Sequence, residues 1–226
     1  MSAILKGAGE APRGGRQWGL PAGCDESLKW LALGLMVLDH VNTYLLDSAH
    51  PWAFAAGRTV MPIFSTVLAY NLARGRAGAA WRTSRRALAF GLLALPATWA
   101  LHGAALPLNI MFTLSASAAA IALLEQQRWK VAMGLAFVAG VLCEGYWPVI
   151  GTTVAAWYFW RSPSWRPAVA WLLCMLALTP INGNCWAFAA VPVIAAVAML
   201  KSHPRRVRWL FYVAYPLHLS IIWGIK

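Results

Sequence analysis

The chain has 226 residues, 60% of them hydrophobic and only 12% charged, with a formal net charge of +12. Soluble domains average about 25% charged residues, so this composition argues against a soluble globular protein and for a polytopic membrane protein. In that setting the basic excess reads as loop charge facing anionic lipid rather than as a nucleic-acid surface.

Residues 1–27 read as a cytoplasmic N-terminal segment. Its first twenty residues are basic and rich in Gly and Pro but lack an apolar core, so they do not resemble a cleavable signal peptide. Residues 28–226 read as one membrane domain. Its first apolar run, 28–46, has about the 19 residues of a transmembrane helix and would act as an uncleaved insertion signal. Further runs follow at 59–73, 86–101, 108–124, 130–143, 147–160, 167–180, 185–200 and 208–224. The expected fold is all-α: a polytopic integral membrane helix bundle with eight or nine transmembrane segments. The runs at 130–143 and 147–160 are short and flank Pro148 and Gly151, so re-entrant or buried helices are the alternative to full spans there.

Basic residues test this topology. With the N-terminus cytoplasmic, 17 of the 19 lysines and arginines fall on the inner face, leaving Arg58 and Lys226 outside. Nine spans satisfy the positive-inside rule, and adding or removing one would scramble the pattern. The expected location is the bacterial inner membrane.

Polar residues inside apolar spans are costly and usually functional. Asp39 and His40 lie adjacent in the first span, and the helical rise puts His40 about 18 Å in, toward the outer side. Arg58, Asn109, Glu144, Asn182, Asn184 and His218 fall at comparable depth by the same reasoning, so one outer polar layer is expected. Each also has a plainer reading. Asp39 and Arg58 would make a structural ion pair, Arg58 alone would snorkel to the interface, the asparagines would cap helices, and His218 would be a packing residue beside the Pro216 bend. His50, His102 and His203 read as loop or span-end residues. Neighbouring helical residues point about 100° apart, so Asp39 is expected to pair with Arg58 or another helix rather than with His40.

On the inner side, Arg74, Arg76, Arg82, Arg85 and Arg86 crowd one loop. They serve as topogenic charge or as a polyphosphate grip through charge-assisted hydrogen bonds. The four cysteines lack metal-ligand spacing, so no metal is expected; Cys143 and Cys185 read as buried free thiols or as a disulfide on the outer side.

The ordered set Lys29-Trp30-Leu31-Ala32, Asp39-His40, Gly57-Arg58, Met61-Pro62-Ile63-Phe64, Tyr70-Asn71-Leu72-Ala73-Arg74, Asn109-Ile110-Met111-Phe112-Thr113-Leu114 and Tyr215-Pro216-Leu217-His218 resembles the TraX family. The resemblance covers almost the whole chain and points to a conjugal-transfer member. Glu144-Gly145-Tyr146 departs from the family's Asp-Tyr-Gly-like stretch. The resemblance implies an acetyltransferase with acetyl-CoA as donor and the amino-terminus of a pilin subunit as acceptor. It implies His40, Asp39, Arg58, Asn109 and His218 as catalytic candidates. Arg74, Arg82, Arg85 and Arg86 are the candidates for holding acetyl-CoA. His40 suits the general base, and Arg58 or Asn109 the oxyanion. The alternative function is a non-enzymatic assembly or transport component of the conjugation machinery, with Asp39, His40 and Arg58 as a relay or structural network.

Overall fold

The computed structural model describes residues 19–200, 204, 205, 207 and 209–226. Most of the N-terminal segment, His203 and the basic residues Lys6, Arg13, Arg16, Lys201, Arg206 and Arg208, assigned to the inner face by sequence, lie outside the described residues. Helix α1 (Cys24–Tyr44) opens with Asp25 and Glu26, carboxylates that complement the positive end of the helix dipole. Lys29 clamps this turn, 2.5 Å from Glu26 Oε1. Beyond α1, buried Asn42 pins the return loop: its Nδ2 donates to the His50 carbonyl at 3.1 Å and its Oδ1 accepts from the His50 N–H at 3.0 Å.

A short helix α2 (Pro51–Gly57) starts with proline at its first position, where no N–H is needed. It breaks at Arg58 and Thr59, and α3 (Val60–Ala73) continues. Helix α4 (Ala79–His102) is closed by Gly103 at φ 70°, a left-handed cap that favours glycine. Next come α5 (Ile110–Glu125), α6 (Trp129–Leu142), α7 (Tyr146–Arg161), α8 (Trp165–Leu176) and the one-turn α9 (Thr179–Asn182). A 3₁₀ turn (Trp186–Ala189) leads into α10 (Ala190–Met199), and α11 (Leu210–Ile225) ends the chain.

Eight of the nine apolar runs overlap a single helix or a 3₁₀–helix pair, and 167–180 runs from α8 across a break into α9. The segments 130–143 and 147–160 form regular helices, α6 and α7, packed against α5 and each other. Among the described residues, Pro51–Ala73 is the stretch that is long and apolar enough to cross a membrane by length and composition. Ile110–Glu125, Trp129–Leu142, Trp186–Met199 and Leu210–Ile225 are apolar but shorter.

Helices pair as α4 with α5, α3 with α7, α7 with α8 and α4 with α11. The main core joins Leu28, Ile63, Ala94, Met175, Leu219 and Ile222 across five helices. Beside this apolar core the hydroxyl residues Ser65, Thr66, Thr113, Ser117, Thr152 and Thr153 are buried, while Leu93, Met133, Phe137, Leu173, Leu217 and Ile221 face outward. Small and hydroxyl-bearing residues let helices approach closely: Ser115 Oγ donates to the Ser84 carbonyl at 2.9 Å across α4 and α5.

Candidate active site

Asp39 and His40 are neighbours in α1, and the helical step sends them to different partners. Arg58 Nη2 donates to Asp39 Oδ2 at 2.6 Å. Both side chains are largely buried, so this pair is held out of bulk water. The break between α2 and α3 places the arginine, because Thr59 Oγ1 donates back to the Ala56 carbonyl at 2.7 Å and fixes the turn. Phe54 lies flat beneath the guanidinium, 4.2 Å from its central carbon.

His40 turns toward α11. Its Nδ1 lies 2.7 Å from His218 Nε2. The other His218 nitrogen, Nδ1, lies 2.7 Å from the Ala214 carbonyl one turn earlier. Both imidazoles belong to the bundle interior: His218 is buried and His40 half-buried.

A second group extends the polar layer. Tyr44 Oη lies 3.1 Å from His102 Nε2, and His102 Nδ1 lies 3.1 Å from the Thr98 carbonyl. Since a carbonyl only accepts, His102 Nδ1 carries the proton; the tyrosine oxygen also lies 3.2 Å from that nitrogen, within reach of both. Glu144 sits in the α6–α7 loop, whose backbone is stitched to the start of α5. Its N–H donates to the Leu108 carbonyl at 2.7 Å, and Thr113 Oγ1 donates to its carbonyl at 2.6 Å. Burial pushes the Glu144 carboxyl above its ordinary range, against the opposing influence of His102, Arg58 and the Ile110 N–H.

One cavity of about 1380 Å³ touches both ends of this arrangement. Asp39, His40, Tyr44, Arg58, His102 and Glu144 line one end. Lys29, Arg74, Arg76, Arg82 and Arg86 line the other. At that basic end Tyr70 donates to the Leu20 carbonyl and accepts from Arg74, and Arg86 lies 5.0 Å from the Trp209 ring.

Two of the sequence-derived candidates stand apart. Asn109 is 1% exposed and does not line the cavity. Its Oδ1 accepts from the Met111 N–H at 3.1 Å and its Nδ2 donates to the Gly91 carbonyl at 3.0 Å, so it caps α5 and ties it to α4. Buried off the cavity wall with its oxygen and one amide N–H engaged in the cap, Asn109 is not placed to reach an oxyanion there. Arg85, exposed on α4, also lies off the cavity wall, one helical step from Arg86. His218 reaches the cavity only through His40.

Tyr44 and His102 are among the cavity residues that the sequence did not single out. A histidine ending an apolar run looks like a boundary residue, and its tyrosine partner lies 58 positions away. Asn182 lines the cavity, whereas Asn184 Oδ1 accepts from the Trp186 N–H and serves the 3₁₀ turn. All four cysteines are free, with Cys143 buried and Cys185 exposed, so the disulfide alternative does not hold. Among the described residues no group of three or more His, Cys, Asp and Glu is placed to hold a metal ion.

Fold and site together define an all-helical bundle protein in which a buried ion pair and His40, backed by His218, share one cavity with an arginine-rich end. A family profile described as TraX protein matches residues 24–226, which take in every described helix, and the chain belongs to the TraX family. It is 28% identical over 215 residues to Protein TraX of Escherichia coli, covering 86% of this chain and 84% of that protein. It is also 29% identical over 188 residues to Protein TraX of Escherichia coli strain K12, covering 83% of this chain and 60% of that longer protein. No solved structure matches the chain.

Proposed function

We propose that this protein is a membrane-embedded acetyltransferase of the bacterial inner membrane. It would move an acetyl group from acetyl-CoA to the amino-terminus of a pilin subunit in plasmid conjugation. Family membership implies a conjugation-related protein. The observation that carries the enzymatic reading is the single cavity joining the arginine-lined end to His40. Lys29 and His40 both line it, eleven residues apart on α1, which is about 16 Å along the helix axis. The pantetheine arm, about twelve bonds from phosphate oxygen to sulfur, extends roughly 14 Å at backbone-like dimensions. A donor whose phosphates sit at the level of Lys29, beside Arg74, Arg82 and Arg86, would therefore bring its sulfur to within about 2 Å of the level of His40.

The chemistry follows from what each side chain offers. The acceptor amine attacks the thioester carbonyl carbon and the carbon–sulfur bond breaks. His40 takes the amine proton and passes it to the departing thiolate, leaving an amide and free CoA. Arg58, held by Asp39 and Phe54, supplies fixed positive charge for the tetrahedral oxyanion. Tyr44, His102, Glu144 and Asn182 surround the side from which an extracytoplasmic amino-terminus would enter.

Membrane embedding is supported by the large apolar side chains the bundle leaves exposed. The exposed leucines of α4, α8 and α11, with Met133 and Phe137 on α6 and Ile221 on α11, would meet lipid tails, and the basic loops would meet anionic headgroups. The test is reconstitution with acetyl-CoA and a peptide carrying the pilin amino-terminus. Thiol release that requires a free amino-terminus supports the enzyme. Absence of thiol release with a folded, inserted protein supports an assembly or transport component instead.

A further inference from the structure

We infer that His218 is a positioning residue that fixes the proton of His40 on Nδ1 and leaves His40 Nε2 as the bare nitrogen facing the cavity. The assignment follows from two contacts and the rule that a carbonyl only accepts. His218 Nδ1 lies 2.7 Å from the Ala214 carbonyl, so that nitrogen must carry a proton. In a neutral ring the other nitrogen, Nε2, then has only its lone pair. That lone pair lies 2.7 Å from His40 Nδ1, so Nδ1 must be the donor. Nothing remains on His40 Nε2 but a lone pair, and among the described residues no hydrogen bond engages it.

Ring geometry supports a true hydrogen bond. The two imidazole planes differ by 4°, with ring centres 5.0 Å apart. Face-stacked rings would keep their atoms about 3.5 Å apart. Parallel planes with nitrogens at 2.7 Å instead require the rings to lie edge to edge in one plane, nitrogen pointing at nitrogen. The radius of a five-membered ring, about 1.1 Å from its bond lengths, accounts for the remaining separation.

This chain of contacts places a neutral histidine where other bases have a carboxylate. When His40 Nε2 accepts the amine proton, Nδ1–H stays bonded to His218 Nε2, and the new positive charge strengthens that bond. The proton then leaves Nε2 for the thiolate, and both rings return to their starting tautomers. Groups facing the pair come from every packed element: Asp39 and Tyr44 on α1, Arg58 between α2 and α3, His102 on α4, Glu144 in the α6–α7 loop and Tyr215 on α11. None of them displaces the His40–His218 contact.

The inference rests on the acyl-transfer reading only for its kinetic arm, so two measurements separate them. In detergent-solubilised full-length protein labelled with ring-¹⁵N histidine, nitrogen–proton correlations report which His40 nitrogen carries the proton. The expected result is Nδ1–H in wild type and a mixture or Nε2–H in His218→Ala. A wild-type His40 protonated on Nε2 overturns the inference whatever the protein's activity. In the kinetic arm, His218→Ala lowers kcat about 100-fold, within the range of lost acid–base assistance, with both KM values within about twofold. His218→Gln, whose Oε1 can accept where Nε2 did, recovers most of that loss and keeps the wild-type pH profile. Equal defects in the Ala and Gln variants, or a change confined to KM, overturn the positioning role. A wild type with correct tautomers but no thiol release instead counts against the acetyltransferase reading.

Discussion

Gly57 and Asp39 approach so closely that a Cβ on the glycine would lie 2.4 Å from the carboxylate carbon. The next residue in the chain is Arg58, the partner of that carboxylate. Close approach of α2 to α1 is therefore what lets the guanidinium reach Asp39. Helix propensity alone would make Gly57→Ala stabilising by about 1 kcal/mol. Overpacking against a fixed carboxylate costs about 1–3 kcal/mol and pushes Asp39 off Arg58. Steric overlap should win: Gly57→Ala is expected to lower stability in detergent and reduce kcat at least about tenfold. A more stable, fully active variant would show that the ion pair does not depend on this contact.

The arginines at the basic end separate by position. Arg82→Gln and Arg86→Gln remove charges on the cavity wall, while Arg85→Gln removes one that faces away. The first two should each raise KM for acetyl-CoA about fivefold with little change in kcat, since contacts remote from the reacting bond act as uniform binding. Arg85→Gln should leave KM unchanged. Initial rates across acetyl-CoA concentration decide it, and equal effects at all three positions would reduce the arginines to a diffuse charge.

Asn109→Ala tests whether this residue serves the cap alone. Losing the helix cap costs about 1 kcal/mol, and leaving the Gly91 carbonyl without its donor costs about as much again. Equilibrium unfolding should report a loss of about 2 kcal/mol, with kcat and KM within about twofold of wild type. A selective collapse of kcat in a stable protein would return Asn109 to the reaction.

Nine helical segments were legible because each apolar run is bounded by arginines, glycines or prolines, signals that act within a few residues. Helix α2 was missed: seven residues beginning with Pro51 are too short to show a period. The Asp39–Arg58 pair was within reach because only 19 positions separate its members. The His40–His218 and Tyr44–His102 contacts span 178 and 58 positions and depend on how α11 and α4 dock against α1. No local pattern encodes such docking. Asn109 misled for the opposite reason, since its depth matched the polar layer while its side chain was consumed by the local cap.

Glu144 gives the molecule a pH signature. Burial raises its folded-state pKa above the ordinary value of 4.5, so the folded state binds the proton more tightly than the unfolded chain. The favourable contribution is fully present below that value and is lost as pH rises through the raised one. Relative to Glu144→Gln, the wild type should therefore lose stability as pH climbs above 4.5 and through the raised value. Thermal unfolding of both proteins across that range checks the sign, and parallel curves would place Glu144 in water-like surroundings.

The most direct measurement is the intact mass of the mature pilin made beside this protein. Wild type should add about 42 Da, one acetyl group, at the pilin amino-terminus. A His40→Ala variant present in the membrane at wild-type level should add nothing. An unmodified pilin with the wild type, or a pilin still acetylated with His40→Ala, would contradict acetyl transfer at the His40 centre.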